Sequence, residues 1–207
     1  PAAGAMLARA LAETKGGPKL RLSILGSVVH NFFTNGSAEL FDCAAQGRID
    51  AFFLGGGQID GSGNVNLVGV GDYPEGKVRW PGSFGSAFLY FQIPRVILFR
   101  EEHTPRVMVE KVDFISAPGV SSEGIWRKGG PHALLTGKGL FGFDAARPGF
   151  HLQTLHPGHT LEDVTAATGF RFFHDSDTPE TPPPDAATLA LIRGRITEEL
   201  HESYPDF

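Results

Sequence analysis

The 207-residue chain has a formal net charge of −5, with 41% hydrophobic and 20% charged residues, a composition typical of a globular protein with one sizeable core. The acidic balance and the absence of Lys/Arg clusters argue against nucleic-acid binding, because phosphate backbones select basic patches. The single cysteine, Cys43, excludes an intramolecular disulfide framework, and no apolar run is long enough to span a membrane.

Helices and strands are predicted to alternate in the first part of the chain. The N-terminal stretch has neither an initiator Met nor the hydrophobic core of a signal peptide, so we expect a cytoplasmic chain with a truncated N-terminus. The spacing of apolar residues predicts helices and strands in the order helix 1–14, strand 19–29, helix 37–46 and strand 48–57. The last of these strands is continuously apolar, which is typical of a parallel strand covered on both faces.

The rest of the chain continues the alternation. A strand is predicted at 95–102, a helix-like or extended segment at 106–119, a hairpin at 132–144, a strand at 149–158, a helix capped by Thr160 at 160–170, and a final helix at 186–200. A polar stretch, 175–185, precedes the final helix. We therefore predict one α/β domain over 1–207, with a mostly parallel central sheet flanked by helices.

Three consecutive glycines follow the strand at 48–57: Gly55, Gly56 and Gly57. The stretch is neither a dinucleotide fingerprint nor a Walker A loop, because no helix and no Gly-Lys-Ser/Thr follows. "DGSGN" instead predicts a tight turn, and hence a hairpin. Two interpretations remain open for Gln58, Asn64 and Asn66: their side chains either fix the turn or contact a ligand.

A second loop rich in glycine follows about twenty-five residues later. We call these two loops, 55–58 and 82–86, the bare loops, because glycine has no side chain to cover the backbone. The second loop comprises Gly82, Ser83, Phe84, Gly85 and Ser86 and opens an apolar helix at 87–91. Backbone N–H groups at the start of a helix can bind an anion or a thioester oxygen. Two bare loops close in sequence suggest that both line one cleft.

These motifs together resemble a known family. "GGGQID", "GNVN", "GDY", "KVR" and "GSFGSA" occur in this order and resemble the β-type subunit of family I coenzyme A transferases, in particular that of glutaconate CoA-transferase and its relatives in steroid and aromatic degradation. "DFISAPG", "GLFGFD", "LHPGHTLEDVTAATGF" and "LALIRGRI" resemble the C-terminal half of the same subunit.

The resemblance implies an enzyme that works with a partner. Members pair two similar subunits, or two halves of one chain, and the active site lies between them. For this chain the resemblance implies a heterodimer or heterotetramer with an α-type subunit. A glutamate of the β-type subunit attacks the acyl-CoA thioester. We therefore expect an α-type partner and a coenzyme A thioester as substrate, with no permanently bound cofactor, no metal, no nucleic acid and no membrane contact.

The chain departs from this family where the nucleophile is expected. The glutamate should follow the strand that starts near Lys19, but Leu25 or Gly26 occupies its place. Glu39 and His30 are alternative candidates, although each also fits an ordinary helix charge or loop residue. Three functions stay open: a CoA transferase, a ring-cleaving acyl-CoA hydrolase whose catalytic carboxylate lies on the partner, and a non-catalytic partner that binds CoA.

Overall fold

The computed structural model describes residues 1–206. The helices are α1 (Ala2–Thr14), α2 (Gly36–Ala45), α3 (Ser86–Gln92), α4 (Leu161–Ala167), α5 (Ala186–Leu191) and α6 (Thr197–Leu200). The strands are β1 (Ala51–Leu54), β2 (Gln58–Ile59), β3 (Val65–Asn66), β4 (Gly69–Val70), β5 (Val78–Arg79), β6 (Arg95–Arg100), β7 (Pro131–Thr136), β8 (Gly139–Asp144), β9 (Gly149–Leu155) and β10 (Phe173–His174).

The chain forms two compact units, one from residues 1–40 with the chain from 182 onward, the other from residues 41–181. The prediction of a single domain over 1–207 stays a prediction. In the first unit, α1 packs against the C-terminal helices around a core of Met6, Ala10, Ile196 and Leu200. The predicted final helix is confirmed, and a π-helical segment, Ile192–Ile196, joins α5 to α6.

The strand predicted at 19–29 is wrong. Residues 19–29 contain no strand; the Ile24 N–H donates to the His30 carbonyl at 2.9 Å, which closes a local loop. Leu22 and Ile24 pack against the helical core of the first unit. The alternating apolar residues therefore cover a helix bundle rather than one face of a sheet, and Val28, with 89% exposure, projects into solvent.

The second unit contains a six-stranded sheet in the order β1-β6-β7-β8-β9-β10. The pairs β1–β6, β6–β7 and β9–β10 are parallel, whereas β7–β8 and β8–β9 are antiparallel. The predicted α/β class with a mostly parallel central sheet is confirmed. Because β1 and β6 are parallel neighbours, their carboxyl ends meet at one edge of the sheet, where ligands bind in many α/β proteins.

Several local predictions are confirmed. The helices predicted at 1–14 and 37–46 are α1 and α2, and the hairpin predicted at 132–144 is β7–β8. Thr160 caps α4 in a capping box with Asp163, in which each side chain bonds the backbone N–H of the other residue. The segment 106–119 is extended and irregular, with isolated bridges to β2 and β3.

His103 follows β6 and is 5% exposed. Its Nδ1 lies 2.8 Å from Thr136 Oγ1, and its Nε2 lies 2.8 Å from Thr168 Oγ1. Burial away from water, reinforced by Lys138 and His159, lowers the pKa of His103 to about 4. The folded protein therefore holds this imidazole neutral over a pH range in which an unfolded chain protonates it.

We expect His103 to make the free energy of unfolding pH-dependent. The unfolded state binds the proton near pH 6.5 and the folded state only near pH 4, so stability is full above pH 6.5 and falls as the pH drops towards 4, by up to about 3 kcal/mol. Urea unfolding of His103→Asn should lose this part of the acid sensitivity, while His132→Asn, at an exposed position, should keep it. Equal pH dependence in His103→Asn and the wild type would contradict the assignment.

Candidate functional site

The stretch with three glycines forms a hairpin that a distant segment braces. Strands β2 and β3 pair antiparallel, with Gln58 opposite Asn66, which confirms the predicted hairpin. The extended segment 106–119 runs along the backbone of both strands. Ile59 N donates to the Val107 carbonyl at 2.8 Å, and Val65 N donates to the Ala117 carbonyl at 2.9 Å. The "GGGQID", "GNVN" and "DFISAPG" motifs therefore form one hydrogen-bonded structure.

A buried network of side-chain amides joins these motifs. Asn66, fully buried, donates through Nδ2 to Gln58 Oε1 and to the Gly69 carbonyl, both at 2.7 Å, and its Oδ1 accepts from Val68 N at 2.9 Å. Gln58 in turn donates to Asp113 Oδ2 at 3.2 Å and accepts from Asp113 N at 3.0 Å. These amides fix the loop, which supports the first of the two interpretations. Contact with acyl-CoA stays a prediction.

Asn64 lies in a turn that Asp60 organises. Asp60, 4% exposed, accepts from the backbone N–H groups of Ser62 and Asn64 and from Asn64 Nδ2, all at 3.0–3.1 Å. Asn64 Oδ1 accepts from Gly119 N at 3.0 Å. Asp60 and Asp113 organise these loops and were not predicted from the sequence, although "DGSGN" and "DFISAPG" each contain one of them.

The three glycines have different surroundings. A Cβ on Gly57 would overlap with the Trp80 ring, and a Cβ on Gly56 would lie 2.8 Å from Val65 Cγ1. A Cβ on Gly55 would meet only the Phe99 carbonyl oxygen, at 3.5 Å. Close packing therefore explains two of the three glycines. Gly55 alone of the three is exposed.

In the second bare loop, 82–86, a glycine is again packed against an aromatic ring. A Cβ on Gly85 would overlap with the Phe41 ring, and that ring also contacts Phe84 and Phe88 at 5.6 Å between centroids. Phe84 is 77% exposed and has a positive φ of 48°. Buried Ser86 opens α3, as predicted, and among the described residues its hydroxyl has no hydrogen-bond partner. Binding of an anion or thioester by Gly82, Ser83 and their neighbours stays a prediction.

An open depression lies at the carboxyl ends of β1 and β6. It is lined by Gly55, Phe99, Arg100, Glu101 and Glu102. The loop 82–86 is not part of this lining, so a cleft shared by both bare loops stays a prediction. The depression brings together an exposed glycine, an aromatic ring, one cation and two carboxylates.

Leu25, Gly26, His30 and Glu39 all belong to the first unit. Leu25 is 46% exposed, and Gly26 has open space around its Cα. His30 Nε2 lies 3.0 Å from the Glu199 carbonyl oxygen, and the Glu39 carboxylate accepts from Thr34 N at 2.8 Å, just before α2. Their part in catalysis stays a prediction.

Residues 1–206, the part of the chain that the structure describes, contain no cluster of metal ligands and no membrane-spanning helix. No group of three or more His, Cys, Asp or Glu is placed to hold a metal ion. No helix there has the length and apolar character needed to cross a membrane.

The chain belongs to the coenzyme A transferase family, whose model matches residues 8–167. It is 34% identical to the B subunit of 3-oxoadipate CoA-transferase of Pseudomonas knackmussii over 76% of the chain and 63% of that relative. It is also 34% identical to the B subunit of glutaconate CoA-transferase of Acidaminococcus fermentans, over 70% of the chain and 56% of that relative. The chain thus spans less than two thirds of the length of either relative.

A third relative and two solved structures widen the comparison. The cholesterol ring-cleaving hydrolase IpdB subunit of Rhodococcus jostii is 29% identical over 75% of the chain and 62% of that relative. The decarboxylase AibA/AibB superimposes with a TM-score of 0.72 and 25% identity, over 91% of this chain and 81% of that one. Glutaconate coenzyme A-transferase of A. fermentans gives a TM-score of 0.78 at 23% identity, over 95% of this chain and 86% of that one, and shares the fold.

Gly57→Ala should destabilise the protein, because the added methyl group overlaps with the Trp80 ring. We expect a loss of about 1–3 kcal/mol, as for other overpacked sites, and a shift in Trp80 fluorescence measured in a Trp126→Phe background. Gly55→Ala is the matched control, since its methyl group has room and should cost far less. Equal unfolding midpoints for the two variants would show that Trp80 does not require a glycine here.

Proposed function

We propose that this chain is the β-type subunit of a heteromeric, cytoplasmic acyl-CoA transferase of catabolism, with a coenzyme A thioester as substrate and an α-type subunit as partner. The loops 55–58 and 82–86 would line the thioester cleft at the subunit interface. The observation that carries the proposal is the hairpin β2–β3, whose family motifs are locked together at the carboxyl end of β1. Family membership and the similarity to the B subunits of two CoA-transferases support it.

The bare loops would both bind the ligand and hold the site in shape. Since the side chains of Gln58, Asn64 and Asn66 are used internally, the groups of the first loop that are left for a ligand are backbone groups at exposed Gly55. Backbone N–H groups held rigidly in place stabilise the oxyanion of an attacked thioester without reorganisation. The rigidity would come from Trp80 and Val65 packed on the next two glycines.

An acyl-CoA hydrolase subunit is the second candidate. Leu25 and Gly26 supply no nucleophile at the expected position, and the chain is similar to a subunit named as a ring-cleaving hydrolase. In that case the catalytic carboxylate would lie on the α-type partner. A third candidate, a non-catalytic CoA-binding partner, shares the same scaffold.

Purified chain, α-type subunit and their mixture should be assayed with acetyl-CoA as donor and glutaconate or 3-oxoadipate as acceptor. We expect CoA transfer only in the mixture, because the site is completed by both subunits. Steady release of free CoA without transfer to the acceptor would favour the hydrolase. Binding of CoA without either reaction would favour the non-catalytic partner.

A further inference from the structure

The depression at the end of β1 and β6 contains two adjacent glutamates that differ in their bonding. Glu102 accepts from Arg106 Nη2 at 2.7 Å, from Arg100 Nη2 at 3.0 Å and from Thr104 Oγ1 at 3.0 Å. These bonds, the one from Arg106 foremost, lower the pKa of Glu102 to about 2. Glu102 is therefore a structural carboxylate, because its oxygens are already occupied by donors.

Glu101 is bonded only through its backbone. Its carbonyl accepts from Gly137 N at 2.9 Å, and a Cβ on Gly137 would lie 2.5 Å from that carbonyl oxygen. The residue is exposed, and among residues 1–206 its carboxylate has no hydrogen bond or ion pair. The backbone thus fixes the position of Glu101 while its carboxylate stays available beside Gly55 in the same depression.

We infer that Glu101 is the nucleophilic carboxylate of this chain, in place of the glutamate that the sequence lacks at Leu25 and Gly26. The inference rests on the proposed transferase function. Gly55, on the neighbouring parallel strand end, presents bare backbone to the same depression, so a thioester carbonyl there would face both a carboxylate and backbone groups. No other carboxylate of the described lining is unoccupied, since Glu102 is held by two arginines.

The chemistry requires only the acyl-CoA and an acceptor acid. A carboxylate oxygen of Glu101 attacks the thioester carbonyl carbon, the C–S bond breaks, and CoA leaves as the thiolate with the electron pair. The thiolate then attacks the side-chain carbonyl of Glu101 in the resulting anhydride, which releases the acyl group as its carboxylate and leaves a glutamyl-CoA thioester. The acceptor carboxylate reverses these steps and departs as the new thioester.

The test locates the covalent adduct in the complex of this chain with its α-type subunit. The complex is incubated with acetyl-CoA, quenched with hydroxylamine and digested with trypsin, and fragmentation of the peptide 101–106 distinguishes Glu101 from Glu102. We expect a hydroxamate on Glu101. An adduct on any other glutamate, of either subunit, overturns the inference and leaves the transferase function standing. Steady CoA release without an adduct overturns both.

Kinetics of matched variants give an independent measurement. Glu101→Gln should lower kcat for CoA transfer by about a thousandfold or more, because an amide cannot form the anhydride. Glu110→Gln, at another exposed position, should leave kcat within about twofold of the wild type. The unfolding midpoint of Glu101→Gln should stay unchanged, since its carboxylate makes no bond in residues 1–206. A Glu101→Gln complex with full kcat would overturn the inference.

Discussion

The buried carboxamide of Asn66 is the group on which the loops of the second unit depend. Its two N–H donors and its oxygen are all used, towards Gln58, the Gly69 carbonyl and the backbone N–H of Val68. Gln58 also accepts a hydrogen bond from Asp113 N, and Asp113 Oδ2 accepts one from Gly71 N at 2.9 Å. A fully satisfied polar network in a buried position rigidifies its surroundings, whereas a partly satisfied one is costly. Strands of only two residues are held in place by these side chains.

Two aromatic rings, together with the buried amides, hold the bare loops in place. Trp80 covers Gly57, and Phe41 covers Gly85, so each bare loop is packed against one ring rather than left open. Glycine is needed at these positions because the rings occupy the space of a side chain. Gly55 is exposed and has no such neighbour, and it is the glycine that borders the depression with Glu101. Gly57 is therefore the packed glycine, and Gly55, two residues earlier in the sequence, is the accessible one.

Local chemistry made most elements predictable from sequence. Thr160 capped α4, and "DGSGN" turned the hairpin, because both depend on neighbouring residues. The strand predicted at 19–29 is wrong because its alternating apolar residues pack against a helical core. That packing depends on tertiary contacts and not on the local sequence. The bracing of β2–β3 by 106–119 and the contrast between Glu101 and Glu102 depend on residues distant in sequence or on bonding partners. Spacing alone does not encode either of them.

The locked amides have a consequence for how the motifs of this chain are interpreted. The polar side chains of "GGGQID", "GNVN" and "DFISAPG" that are described above hold the loops in place. Gln58, Asn66 and Asp113, which hold these loops, use their side chains for bonds within the fold. Proteins named as transferase, decarboxylase and hydrolase components all lie among its similar chains. Similarity in these loops therefore indicates the fold around the site, but it does not by itself identify the reaction.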